Sequence, residues 1–88
     1  MTRQPINRRQ LLESVEQRLN HGEIDFGEAI KTLRKEITGL NQTEFANLAG
    51  VSLRSLAQLE SGKGNPTIKT LNQLFSLFGL KVGLVIGR

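Results

Sequence analysis

Apolar residues recur at helical spacing in five separate stretches of the chain and alternate in a sixth at its end. Leu11, Leu12, Val15 and Leu19 fall on one stripe and predict an amphipathic helix over 7–20, which Asn20-His21-Gly22 would stop. Phe26, Ala29, Ile30, Leu33 and Ile37 give the second, opened by Asp25 and Glu28 at capping-box spacing and closed by Thr38-Gly39. Lys31, Arg34 and Lys35 are expected on its exposed side. Phe45, Leu48 and Ala49 mark a short third helix, and Leu53, Leu56 and Leu59 a fourth. Ile68, Leu71, Leu74, Phe75, Leu77 and Phe78 make the apolar surface of the fifth unusually broad, beyond the need of one small core. Leu80, Val82, Leu84 and Ile86 then alternate, which predicts a strand.

The third and fourth helices are joined with particular economy. Asn41 precedes Glu44 by three residues, the capping-box spacing, and Gly50 stands where a helix ends most cheaply in the left-handed conformation. Ser52 can cap the next helix, and Gly62 stops it. A helix, a glycine corner and a second capped helix make the helix-turn-helix pattern, in which the second helix enters the DNA major groove. Many helical bundles share that spacing, so spacing alone leaves DNA binding and plain packing equally open.

The residues add more. LNQTEFANLAGVS followed by SLAQLESGKGNP resembles the Cro/repressor-like (XRE) helix-turn-helix family and is similar to the DNA-binding domains of lambdoid phage repressors. The resemblance covers 26–80. It implies an all-α repressor-like helix-turn-helix domain over 25–79. The tail and extra helix over 1–24 depart from the minimal repressor pattern and bring the count to five helices, and the alternating residues make 80–88 a short C-terminal β-strand. A lone strand needs a partner, and pairing with a second copy across a two-fold axis supplies one. Phe75, Phe78, Leu80, Val82, Leu84 and Ile86 are the expected dimer interface. A terminal strand after five helices is more loosely similar to HipB-type antitoxin regulators, so a protein toxin is an alternative partner.

In the family, phosphate contacts come from helix starts and turns, which places Asn41, Gln42, Ser52, Lys63 and Asn65 as positioning groups. Asn41 and Ser52 have capping duties in any case. Bases would be read by Leu53, Arg54 and Gln58 on the outward face of the fourth helix. Arg54 suits guanine; Gln58 suits adenine, or holds Arg54 in place. The bland reading leaves both as solvated surface. Leu53 stands where the phage repressors carry a polar base-contacting residue, so the operator sequence is not inferred. Glu60 is expected in an ion pair, because an acid facing phosphate would be repelled.

Composition narrows the classes. The chain has 88 residues, a net charge of +4, no cysteine and no tryptophan. That allows one small domain with a modestly basic balance suited to a polyanion, and leaves no thiolate metal site or disulfide. The start MTRQPINRRQ lacks a secretory apolar run, so a cytoplasmic protein without a membrane partner is expected. Arg3, Arg8 and Arg9 form either a solvated terminus or a basic arm. Catalysis has little support: His21 is the single histidine, placed in a turn, and GKGNP lacks the P-loop pattern. No enzyme activity, cofactor or small-molecule ligand is expected.

Overall fold

The computed structural model of the chain describes residues 7–83, so the tail over 1–6 and the interface residues Leu84 and Ile86 lie outside the described residues. Within them the fold is all-helical, with α1 Arg8–Asn20, α2 Phe26–Leu33, α3 Gln42–Ala49, α4 Leu53–Glu60 and α5 Ile68–Phe75. Each start is explained by its cap. Asn7 accepts from the Arg9 and Gln10 N–H groups, Asp25 from Glu28, Asn41 from Glu44, Ser52 from Ser55 and Thr67 from Thr70. These are the short polar residues expected to close off orphan N–H donors.

One core gathers all five helices. Val15 of α1 and Ile24 of the following turn join Ala29, Ile30 and Leu33 of α2, Phe45 and Ala46 of α3, and Leu56 and Leu59 of α4. Leu71, Leu74 and Phe75 of α5, with Phe78 beyond it, complete the cluster. The extra N-terminal helix is therefore packed onto the same core through Val15, which is 2 % exposed.

Three expectations are corrected here. Apart from Ile68, which is 59 % exposed, the broad face of α5 is largely consumed inside the chain: Phe75 meets Phe26 edge-on at 6.0 Å between ring centroids, and Phe78 stacks on Phe45 at 5.9 Å. Phe75 and Phe78 are both 3 % exposed, so their rings form core rather than a subunit surface. On α3, Ala46 is buried and Leu48 is 61 % exposed, because the inward stripe is centred on Phe45 and Ala46. On α2, Arg34 is not on the solvent side with Lys31 and Lys35 but is 6 % exposed. It opens a widened π-helical turn, Arg34–Thr38. There the Gly39 N–H reaches back five residues to the Arg34 carbonyl at 2.9 Å, and the Thr38 hydroxyl donates to that same oxygen at 2.6 Å.

After α5 a single 3₁₀ turn, Ser76–Phe78, ends at Gly79 in the left-handed region, φ 74°. Residues 80–83 carry no strand. A ladder needs a second strand, and among the described residues there is none. The Val82 N–H instead donates to Asn72 Oδ1 of α5 at 2.7 Å, and the Leu80 N–H to the Phe75 carbonyl at 3.1 Å. Leu80 and Val82 are thereby laid against the domain's own core, half-buried.

Candidate nucleic-acid interface

The corner between α3 and α4 is closed by backbone geometry. Gly50 adopts φ 74°, which a residue with a Cβ reaches only at a cost, and lets the Val51 N–H return to the Ala46 carbonyl at 3.0 Å. Asn41 and Glu44 complete the reciprocal capping box at 2.8 and 3.1 Å. Ser52 accepts from the Ser55 N–H at 3.0 Å and donates to the Ser55 hydroxyl at 2.8 Å. These caps take only the third N–H of each helix, so the first two of α3 and of α4 remain available to an anion.

What holds α4 in place is a polar cluster that sequence reasoning divided among other roles. The Arg34 guanidinium meets the Glu60 carboxylate in a two-pronged pair, Nε to Oε2 and Nη2 to Oε1, each 2.8 Å. Nη1 donates to the Leu40 carbonyl at 2.8 Å, and Gln42 Nε2 donates to Glu60 Oε1 at 3.0 Å. One carboxylate thus ties the last residue of α4 to α2 and to the first residue of α3. The two charged side chains are 8 % and 3 % exposed. Burial by itself would push the Glu60 carboxyl up, but hydrogen bonds from Arg34 and Gln42, with the charges of Arg34 and Lys31, outweigh it and hold the group below its ordinary value. The Glu60 hydrogen bond raises Arg34 against its own desolvation. The expected ion pair of Glu60 is present, with Arg34 as the partner. Gln42, expected at phosphate, has its side chain committed to this cluster.

Gly27 is a second determinant absent from the sequence reading. A Cβ on it would overlap the Leu59 carbonyl oxygen, so only a glycine lets α2 approach the backbone of α4 this closely.

On the outer side of α4, Leu53 is 45 % exposed, and Arg54, Ser55 and Gln58 are exposed as well. Neither the Arg54 nor the Gln58 side chain has a hydrogen bond or ion pair among the described residues. The chain then curls back: the Lys63 N–H returns to the Gln58 carbonyl at 2.8 Å, with Gly62 and Gly64 both at positive φ. A cleft of about 190 Å³ results, bordered by Gln58, Lys63, Asn65 and Thr67 among others. Lys63 and Asn65 are exposed beside α4, as are Asn41 and Ser52 at their helix starts. The structure therefore brings Gln58, Lys63 and Asn65 to one cleft, and keeps Leu53 and Arg54 on the open face of the same helix.

Two short helices joined through a left-handed glycine, the second clamped at its end and bare on its outer side, define a helix-turn-helix domain. The helix-turn-helix family model matches residues 30–85. With the greater part of its length so matched, the chain belongs to the helix-turn-helix family of the Cro/repressor (XRE) type. It is 34 % identical over 61 residues to the immunity repressor protein of Bacillus phage phi105, covering 69 % of this chain and 42 % of that protein. It is 38 % identical over 55 residues to the HTH-type transcriptional regulator DdrOP3 of Deinococcus deserti, covering 62 % of this chain and 42 % of the relative. An uncharacterized HTH-type transcriptional regulator of Sinorhizobium fredii, y4mF, is 34 % identical over 61 residues, covering 69 % and 79 %. The matched part thus spans about two fifths of the length of the first two relatives. No solved structure matches the chain at comparable significance. Among the described residues no helix is long and apolar enough to cross a membrane.

Proposed function

We propose that the protein is a sequence-specific DNA-binding transcriptional regulator, a dimeric repressor of its own promoter that reads a palindromic operator with α4. The observation that carries this reading is Arg54 and Gln58, unpaired among the described residues, on the exposed side of a helix whose far end is locked by Arg34, Glu60 and Gln42. A rigid helix with a planar guanidinium and an amide free at its surface has the donors and acceptors that base edges in the major groove require. The free N–H groups at the starts of α3 and α4, with Lys63 and Asn65, supply phosphate anchors around it. The repressor and regulator names of the relatives agree with this use of the fold.

Two copies joined through the segment from Leu80 onward would present their α4 helices about 34 Å apart, one DNA turn. Occupancy of the promoter then excludes polymerase. Among the described residues no feature favours the toxin-partner alternative over a plain dimeric repressor.

The test is selection from a randomised duplex library, followed by titration of the best duplex and a scrambled one at several salt concentrations. A palindromic consensus and a tight complex that resists scrambled competitor are expected. Equal, salt-labile binding to both duplexes would overturn the reading. Arg54→Ala should relax one position of the consensus by about 1–3 kcal/mol of discrimination; an unchanged preference across single-base variants would remove Arg54 from the readers. Sedimentation equilibrium separately checks the dimer, and a strict monomer on a single half-site would refute it.

A further inference from the structure

Gln58 is the one proposed base reader that touches the turn after its own helix. Its backbone carbonyl accepts from the Lys63 N–H at 2.8 Å and from the Ser61 hydroxyl at 3.0 Å, which draws the glycine turn over the end of α4. Its side chain, by contrast, is exposed and has no hydrogen-bond partner among the described residues, so no polar contact within the chain fixes its rotamer. The close neighbour is Gly64. A Cβ built there would lie 3.3 Å from Gln58 Oε1, 3.6 Å from Gln58 Cβ and 4.0 Å from Gln58 Cδ. The Gln58 side chain thus borders the space that a side chain at 64 would occupy, and its amide oxygen is the atom such a side chain would meet first.

We infer that Gly64 is a specificity-determining position that acts through Gln58: the missing side chain at 64 seats the Gln58 amide and so decides which base edge it meets. The inference rests on the reading of α4 as the base-reading helix. A methyl group at 64 does not threaten the core, since its near contact is the far end of a flexible side chain. The amide simply has to yield by a few tenths of an ångström or rotate to another rotamer. Bidentate pairing with a base tolerates neither without loss, because both its donor and its acceptor must stay in register with the base edge.

Gly64 has positive φ, so an alanine there also strains the turn. The same chain contains a matched control. Gly62 has φ 79° against 78° for Gly64, yet a Cβ on Gly62 has nothing nearer than Asp25 Oδ2 at 3.9 Å and does not meet Gln58. Gly62→Ala therefore carries the left-handed strain without touching the reader.

The experiment measures binding of the full chain to the best library-selected duplex and to its complete set of single-base variants. It compares wild type, Gly64→Ala, Gly62→Ala, Gln58→Ala and the double variant Gln58→Ala/Gly64→Ala, each first shown to be folded by circular dichroism. Discrimination at the base pair assigned by Gln58→Ala is expected to fall or change its preferred base in Gly64→Ala by at least about 5-fold, the lower end of one good bidentate contact. Gly62→Ala should shift affinity for all duplexes alike. In the Gln58→Ala background, Gly64→Ala should leave the base preferences unmoved. A Gly64→Ala profile parallel to that of Gly62→Ala, or a Gln58→Ala profile like wild type, overturns the inference while the reading of α4 stands. A wild type that prefers no duplex overturns both.

Discussion

Replacing Arg34 by methionine keeps an unbranched stem of similar bulk and removes the charge and its three hydrogen bonds. What it leaves behind sets the magnitude. The Glu60 carboxylate is 3 % exposed and would retain only the Gln42 amide at 3.0 Å. Breaking a buried pair from one side costs about 3–5 kcal/mol, whereas removing both charges together is often close to neutral. Against a total stability of about 5–15 kcal/mol for a small domain, Arg34→Met should remove a large share of the folding free energy. Arg34→Met/Glu60→Leu should be far less damaging, with a residual loss of about 1 kcal/mol for each of the Leu40 carbonyl and the Gln42 amide, both half-buried and within reach of water. Urea titration of both single variants and the double, followed by far-UV circular dichroism, closes the cycle. A coupling energy of at least about 2 kcal/mol is expected. Strict additivity, or a single-variant loss below about 1 kcal/mol, would refute the idea that this pair clamps α4. Acid provides a second readout. Glu60 is held below its ordinary value in the folded state, so its contribution is fully present above the unfolded carboxylate pKa of about 4.3 and is lost as pH falls through the lower folded value. Wild type should therefore lose stability on that acid limb more steeply than the double variant does.

Three further outcomes follow from single contacts. Gly27→Ala sets a methyl group against the Leu59 carbonyl, where no rotamer change can relieve the clash; a loss of about 1–3 kcal/mol or more is expected, seen as a lower melting temperature, and an unchanged one would contradict the close approach of α2 to α4. Lys63→Ala should weaken binding to every duplex and reduce the slope of log K against log salt by about 1, so an unaltered slope would count against a phosphate contact. Asn72→Ala frees the Val82 N–H, and hydrogen exchange at that amide should accelerate beyond any change in global stability; equal protection in both proteins would show that the hydrogen bond does not tether the C-terminal segment.

Much of the scaffold can be read directly from the residues. Caps and stops depend on local chemistry: Asn41, Ser52 and Thr67 offer oxygens to N–H groups three residues on, and Gly39, Gly50 and Gly79 take up positive φ where helices must turn. The reading expected the ion pair of Glu60 but not its partner, and it set Arg34 and Gln42, which lie on apolar stripes, toward solvent and phosphate. Arg34 follows Ile30 by four residues, Glu60 follows Leu56 by four, and Gln42 precedes Phe45 by three and Ala46 by four, so each holds a helical position that faces the core. For Arg34 and Gln42 polarity suggested solvent or phosphate; the periodicity pointed inward, and three polar residues on core-facing positions could have revealed the cluster.

By itself, then, the sequence determined the five helices, their caps, the glycine corner and the outward placement of Leu53, Arg54 and Gln58, because these depend on interactions within a few residues. Only the tertiary structure decided which groups are consumed by the fold. Arg34, Glu60 and Gln42 meet from three helices. Phe75 and Phe78 spend their surface on Phe26 and Phe45. Gly27 is needed where α4 crosses α2, and Gly64 where the turn returns to Gln58. Each of these depends on a contact between residues distant along the chain or brought back by a turn, and spacing along one helix carries no information about what another segment places opposite it.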